Sequence, residues 1–224
     1  MRKTHLLRNE ASRPSESHSL LKTQTKWNTR TLVETALFIA ILLLMYLTGF
    51  TRIPLGPLKM TLSMIPIAIG AMLLGPEIGA LLGTVYGITS LYEAITGASP
   101  MTHAFFEVSP LHTIVLCVLL RAIVGYSTGV LFRIFFSVDK KQKACYYLGG
   151  LAAPVLNTIL FMGYIVLVFY HTEFTQQLAL AKHATGPFTF IILVAGAQGL
   201  FEAVMGCVIG GTVTKSVSKA KKRD

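Results

Sequence analysis

Charge is the scarcest property of this sequence. Only 13% of its 224 residues are Asp, Glu, Lys or Arg, while 53% are hydrophobic. A soluble domain carries about 25% charged residues, so this composition excludes an ordinary water-soluble fold. Several apolar runs approach the ~20 residues that cross a bilayer as a helix, and they lack the alternation expected of barrel strands. The composition therefore predicts an all-α integral membrane bundle.

Common motifs for metal-dependent catalysis, ATP hydrolysis and metal binding are also missing. The sequence contains no HExxH, CxxC or Walker A pattern, which argues against the enzyme classes that these patterns mark. Its cysteines are dozens of residues apart, a spacing that does not suit a metal site. We expect them to be small buried residues: Cys117, Cys145 and Cys207. No metal and no cofactor is predicted.

The basic residues are clustered rather than spread. Of twenty, sixteen lie in three groups: seven before the first apolar run, four around the interior DKKQK loop, and five at the end of the chain. Basic residues flanking membrane spans mark the cytoplasmic side, so these groups indicate topology rather than nucleic-acid binding. Both termini are predicted to be cytoplasmic. About thirty mostly polar residues precede the first apolar run, so no signal peptide is expected.

Three regions follow from this pattern. Residues 1–29 are predicted to be a flexible basic cytoplasmic tail, residues 30–214 a six-helix transmembrane domain, and residues 215–224 a second basic cytoplasmic tail. Residues 96–111 are expected to be a structured loop, and residues 171–186 a polar connection. The predicted spans cover about 31–50, 62–74, 78–95, 112–136, 146–170 and 187–213.

Arg121 is the most informative residue, because it lies within the fourth apolar run, in VLCVLLRAIVGY. A charge near the bilayer centre is costly and must face a cavity or a partner. One interpretation is an ion pair with a buried acid such as Glu202, or snorkelling. The other is a cation that binds a ligand carboxylate or phosphate through its planar fork.

Two amides are expected at a depth similar to that of Arg121. Asn157 and Gln198 lie in the fifth and sixth spans, where an amide either joins helices or binds a ligand. Together with Arg121 they predict a polar pocket. Aromatic residues of the third span and the following loop are further candidates for its wall or for interface anchors: Tyr86, Tyr92, Phe105 and Phe106.

Two further groups have competing interpretations. Ala36 and Ala40 form a small-xxx-small pair, which allows another helix to approach closely. The glycines of the third span, Gly79, Gly83 and Gly87, are expected to serve packing inside the bundle. In the 96–111 loop and directly after it, two histidines flank an acid, an arrangement that leaves an intramembrane enzyme as an alternative class: His103, Glu107 and His112. A structural membrane subunit is another alternative.

These features together resemble the substrate-binding S component of an energy-coupling factor (ECF) vitamin transporter. The resemblance covers about residues 30–214 and is most specific in IPLGPLKMTLSMIPIAIGAMLLGP, followed by EIGALLGTVYGITSLYEAITG. It implies a six-helix bundle in a prokaryotic plasma membrane that binds a vitamin in its outer half. It also implies docking through Ala36 and Ala40 on a transmembrane coupling protein that is driven by two ATPase subunits.

The resemblance further implies a lid over the ligand, at about residues 52–61, that includes Pro54, Gly56, Pro57 and Lys59. The family shares its fold but differs in its ligands. The buried arginine favours an anionic vitamin, and the APVLNTILF segment is similar to pantothenate-specific members. Pantothenate therefore ranks first, cobalamin second and folate third.

Overall fold

The computed structural model describes residues 28–49, 53–55, 58–60, 62–139 and 144–221. These residues form eight helices and a two-stranded hairpin. Helices α1 to α4 and the strands are α1 (Thr29–Leu47), β1 (Ile53–Leu55), β2 (Leu58–Met60), α2 (Met64–Leu74), α3 (Pro76–Thr96) and α4 (Pro100–Val108). The remaining helices are α5 (Pro110–Val138), α6 (Ala144–Phe169), α7 (Glu173–Ala181) and α8 (residues 187–221).

The all-α membrane bundle is confirmed. Five of the described helices are long and apolar enough to cross a membrane: α1, α3, α5, α6 and the Gln198–Lys221 part of α8. With 11 residues, α2 is only ~16 Å long and is buried on most of its surface, so length alone does not identify it as a span. The six-span count and the cytoplasmic termini remain predictions.

Two segments predicted to be connections contain helices. Within residues 96–111, Ser99 precedes Pro100, which starts α4, and Ser109 with Pro110 separates α4 from α5. Proline favours the first position of a helix, so these prolines start helices rather than prevent them. Helix α7 forms within residues 171–186, beginning after an extended Thr172.

The described helices extend into both of the predicted tails. Helix α1 begins at Thr29, and residues 1–27 of the predicted N-terminal tail lie outside the described residues. At the other end, α8 continues without interruption through Lys221, so residues 215–221 are helical. The end of α8 is tied to α1, since Lys221 Nζ lies 3.1 Å from Glu34 Oε2.

A seam of glycines brings α3 and α5 into backbone contact. A Cβ added at Gly83 would collide with the carbonyl of Arg121, and one at Gly87 would lie 2.6 Å from the carbonyl oxygen of Cys117. Gly79 and Gly125 face each other one level further along. The prediction that the glycines of this span serve internal packing is therefore confirmed, and the seam fixes how α5 lies against α3.

The predicted lid region forms a hairpin in its described part. Strand β1 pairs antiparallel with β2, so that Pro54 lies opposite Lys59. Strand β2 also contacts the first part of α8, Pro187–Met205. Gly56 and Pro57 fall between the strands and lie outside the described residues, as do the ends of the predicted lid.

Candidate functional site

Arg121 lies inside the bundle between two aromatic rings. The residue is 7% exposed, and its guanidinium carbon is 4.1 Å from the ring centroid of Tyr86 on α3 and 5.4 Å from that of Phe161 on α6. Both distances are within the range of cation–π attraction. Counting from Pro110, Arg121 is ~16 Å along α5, well inside the apolar part of the helix.

Much of the hydrogen-bonding capacity of Arg121 is unused. Its Nε and Nη1 atoms are buried and have no hydrogen-bond partner among the described residues. No ion pair joins Arg121 to Glu202 within the described part of the chain, so the predicted alternative of such a pair finds no support there. Rings stabilise the charge but do not accept these N–H bonds, which leaves donors suited to an anion.

Local backbone geometry holds Arg121 in this place. A π-helical turn, Val115–Leu119, ends just before it, and such turns widen a helix locally and are frequent at functional sites. On the opposite side, Gly83 allows α3 to touch the backbone of Arg121 itself. The side chain therefore extends from a backbone position that two neighbouring features determine.

The two amides lie where α6 packs against α8. The Oδ1 atom of Asn157 is buried without a hydrogen-bond partner among the described residues. Gln198 Nε2 donates a hydrogen bond of 2.9 Å to Glu202 Oε1. A Cβ at Gly199 would lie 3.0 Å from Thr158 Oγ1, so the Gln198 level of α8 meets the Asn157 level of α6.

One turn of α6 separates Asn157 from the aromatic residue that contacts Arg121. Asn157 and Phe161 are four residues apart on α6 and so share a face, and Phe161 contacts Arg121. Phe161 was not singled out from the sequence, although its spacing from Asn157 was the available signal. Helix α6 packs against both α5, which carries Arg121, and α8, which carries Gln198.

The other predicted aromatic residues fall in different surroundings. Tyr86 faces Arg121, whereas Tyr92 is 58% exposed on the outer face of α3. Phe105 is 1% exposed and stacks on Phe169 with ring centroids 4.4 Å apart. The structure thus brings Tyr86 together with Arg121, places Phe105 in the packed core between α4 and α6, and leaves Tyr92 at the surface.

The loop histidines make local hydrogen bonds. His103 Nδ1 lies 2.7 Å from the carbonyl oxygen of Ala94, and its Nε2 lies 3.5 Å from Glu107 Oε1. His112 Nδ1 is 2.8 Å from Ser109 Oγ. Within the described ranges, no three His, Cys, Asp or Glu side chains are grouped to hold a metal ion. The His103–Ala94 bond joins the start of α4 to the end of α3, and the His112–Ser109 bond lies within the first turn of α5.

Ala36 and Ala40 lie on the open side of α1. Both residues are exposed, and the neighbouring Val33, Leu37 and Leu44 are 59–64% exposed. Only Thr35 and Leu42 of this helix are buried. The structure therefore leaves the small-residue face of α1 open to lipid or to another helix.

Fold and site together define a class of protein: a helical membrane protein with a buried arginine that can bind an anion. Among the described residues, no side chains form a catalytic arrangement. Residues 30–210 match the family described as "ECF transporter, substrate-specific component", and the chain belongs to this family. It is accordingly a substrate-binding subunit of a transport system and not an enzyme, which removes the alternative class considered above. Membership implies association with an ECF module and with a small-molecule vitamin.

Two relatives and one solved structure are similar to this chain over most of its length. The chain is 27% identical over 188 residues to "Pantothenate transporter PanT" of Leuconostoc mesenteroides, covering 81% of this chain and 88% of that protein. It is 28% identical over 194 residues to "Pantothenic acid transporter PanT" of Lactococcus lactis, covering 83% and 92%. A structure of ThiT from Listeria monocytogenes shares the fold, with a TM-score of 0.59 at 20% identity, covering 86% and 98%.

Proposed function

We propose that this chain captures pantothenate outside a prokaryotic cell and delivers it for ATP-driven uptake. In this proposal Arg121 binds the carboxylate, while Asn157 and Gln198 bind the amide and hydroxyl groups. The lid hairpin covers the ligand, and the Ala36–Ala40 face docks on the coupling protein, whose two ATPase subunits supply the energy. The chain itself lies in the plasma membrane.

The main support for the proposal is the lack of described acceptors for the buried guanidinium of Arg121. Its buried Nε–H and Nη1–H donors find no acceptor among the described residues, and a buried charge without a partner is costly. A ligand carboxylate supplies both a charge and two acceptor oxygens in the planar geometry that arginine matches. The names of the two relatives support pantothenate among the anionic vitamins.

The neutral part of pantothenate also matches the site. Its amide and two hydroxyls contain hydrogen-bond donors, and Asn157 presents a buried carbonyl oxygen that has no described partner. The rings of Tyr86 and Phe161 next to Arg121 exclude water, and a charged hydrogen bond is stronger where water is absent. One end of the site therefore suits an anion, and the other suits donors.

The test is calorimetry on folded, monodisperse Arg121 variants. Arg121→Ala is expected to weaken pantothenate binding by about 2–4 kcal/mol, since a charged hydrogen bond is lost and the ligand anion stays buried. Arg121→Lys should recover part of the affinity, because it keeps the charge but not the fork. Arg121→Gln should resemble Arg121→Ala. The control is Arg133→Ala, about three turns further along α5.

The ligand provides a second arm of the same test. Panthenol, the uncharged alcohol analogue, should bind the native protein far more weakly than pantothenate does. In Arg121→Ala this preference should shrink, because the group that recognises the charge is gone. Normal pantothenate binding by Arg121→Ala would return Arg121 to a structural role and rank cobalamin above pantothenate.

A further inference from the structure

Two aromatic rings from different hydrophobic clusters meet at Arg121. Tyr86 belongs to a buried cluster that includes residues of α1, α2 and α3, whereas Phe161 belongs to a second cluster with residues of α4, α6 and α8. Both residues are 9% exposed. Apolar neighbours on two sides of the bundle therefore hold each ring in place beside the guanidinium.

The rings contact the charged group of Arg121 itself. Its guanidinium carbon lies over the ring of Tyr86 at 4.1 Å from the centroid and over the ring of Phe161 at 5.4 Å. The face of an aromatic ring carries a negative potential and attracts a cation within about 6 Å of the centroid. Both rings therefore stabilise a charge that has no ion-pair partner among the described residues.

Aromatic rings differ from an acidic partner in what they leave available. An acidic side chain would accept the N–H bonds of the guanidinium and compete for them with the carboxylate of a ligand. The rings leave those donors unused, since Nε and Nη1 of Arg121 have no hydrogen-bond partner within the described part of the chain. Because ring faces repel an anion, a ligand carboxylate is directed to these N–H groups.

Backbone contacts keep Tyr86 at the level of the guanidinium. Gly83 and Gly87 lie on either side of it along α3. A Cβ at Gly83 would collide with the carbonyl of Arg121, and one at Gly87 would lie 2.6 Å from the carbonyl oxygen of Cys117. Since α3 touches the backbone of α5 both before and after Tyr86, this ring can determine where the guanidinium lies.

We propose that Tyr86 and Phe161 are positioning residues for Arg121: they hold its charge in the empty site in place of a counter-ion and keep its N–H donors available for a ligand carboxylate. This role rests on the proposed function, in which Arg121 binds the carboxylate of pantothenate. Tyr86, a candidate for direct ligand contact from the sequence, acts through Arg121 in this role. A guanidinium already held in place need not be ordered on binding, which favours the charged ligand over an uncharged analogue.

The first arm measures thermal unfolding of the ligand-free protein with fluorinated phenylalanines at position 161. Fluorine reduces the negative potential of the ring face while the shape of the ring hardly changes, so it weakens attraction to a cation but not apolar packing. The unfolding midpoint should fall by about 2–4 °C with trifluorophenylalanine and by less with monofluorophenylalanine. In the Arg121→Met background the same series should leave the midpoint unchanged or slightly raised.

Position 86 is tested in the same way, with Tyr86→Phe as the reference for the fluorinated residues. The hydroxyl is then absent from every member of the series, so only the potential of the ring varies. Fluorination here should lower the midpoint at least as much as at Phe161, because this ring is closer to the guanidinium. Equal responses with Arg121 and with Arg121→Met would assign the rings to packing alone and overturn the proposal.

The second arm measures the preference for pantothenate over panthenol by displacement of labelled pantothenate. Phe161→Leu keeps an apolar side chain without a ring and should reduce this preference roughly tenfold, whereas Phe161→Tyr should retain most of it. The matched control is Phe132→Leu, since Phe132 is also 9% exposed but contacts the rings of Phe136 and Tyr146 rather than a cation. A ring that only packs would change the affinity for both compounds equally, so an unchanged preference in folded Phe161→Leu would overturn the proposal.

Failure of the proposed function has a different signature. In that case the native protein does not bind pantothenate, or Arg121→Ala binds it normally, while the unfolding series, which needs no ligand, still reports on the rings. If only the role of the rings is wrong, pantothenate binding and its dependence on Arg121 persist. The unfolding midpoint and the preference over panthenol then do not respond to loss of the ring potential or of the ring.

Discussion

At the scale of single residues, the position of Arg121 depends on a neighbour that has no side chain. Gly83 lets the backbone of α3 touch the carbonyl of Arg121, at a distance that leaves no room for a Cβ. Arg121 extends from this contact toward Tyr86 and Phe161. A methyl group at position 83 must therefore move α3 and α5 apart at the level of the guanidinium.

We expect Gly83→Ala to destabilise the bundle by about 1–3 kcal/mol, as overpacking does elsewhere, and to weaken pantothenate binding as well. The matched control is Gly163→Ala, where no atom lies within 4 Å of the added Cβ. There the better helix propensity of alanine should leave stability unchanged or slightly raised. Thermal unfolding in detergent and calorimetry measure the two effects, and equal behaviour of both variants would contradict the account.

The sequence identified part of this site and missed the rest for physical reasons. Arg121 can be identified as a site residue from the sequence, because a charged side chain within an apolar run is costly in any orientation. Its neighbours depend on how helices pack: Tyr86 faces the guanidinium while Tyr92, six residues later on α3, is exposed. Phe105 was grouped with the pocket because it is aromatic, yet it stacks on Phe169 in the core.

At the scale of helices, α1 differs from the other long helices because so little of it is buried. Its contacts with the bundle are carried by buried Thr35 and Leu42 and by partly buried Phe38 and Ile39, while the opposite face is open. That face contains Ala36 and Ala40. Small residues let a second helix approach closely, and packing rather than the hydrophobic effect drives such association in lipid.

We expect Ala36→Trp combined with Ala40→Trp to abolish uptake while binding by the isolated protein stays nearly intact, because bulk on this face blocks a partner helix. A matched control is Val155→Trp with Ile159→Trp, which adds the same bulk four residues apart on the lipid-facing side of α6. Uptake in cells and calorimetry on purified protein measure the two properties. Parallel loss of binding and uptake would instead indicate a destabilised bundle.

Some helix boundaries differ from those predicted from composition. Residues 96–111 contain proline, serine and glycine and were predicted to form a loop, but Pro100 and Pro110 each start a helix. The prediction counted helix-breaking residues without their positions, and proline breaks a helix only beyond its first turn. The hydrophobic runs themselves were located well, since their length is set by the bilayer rather than by local chemistry.

At the scale of the whole molecule, the orientation in the membrane follows from charge and remains a prediction. The basic groups at both ends of the chain and in the loop between α5 and α6 should face the cytoplasm, and α7 should face outside. Cysteine labelling in intact cells tests this, starting from a variant without the three native cysteines.

We expect cysteine at Ser216, on the exposed side of α8, to be protected from an impermeant reagent and cysteine at Gln177, on exposed α7, to react. Permeabilised cells provide the control, since both sites should then be labelled. The reverse pattern in intact cells would invert the topology and place the docking and binding ends of the bundle on the wrong sides.

We propose that the buried arginine makes this chain a receptor for pantothenate. The most direct measurement is equilibrium binding by the purified native protein to a panel of vitamins: pantothenate, folate, cobalamin and the cationic thiamin. We expect a single site that binds pantothenate most tightly and rejects thiamin, because a second cation cannot replace the anion that Arg121 needs. Preferential binding of thiamin or cobalamin, with no measurable binding of pantothenate, would contradict it.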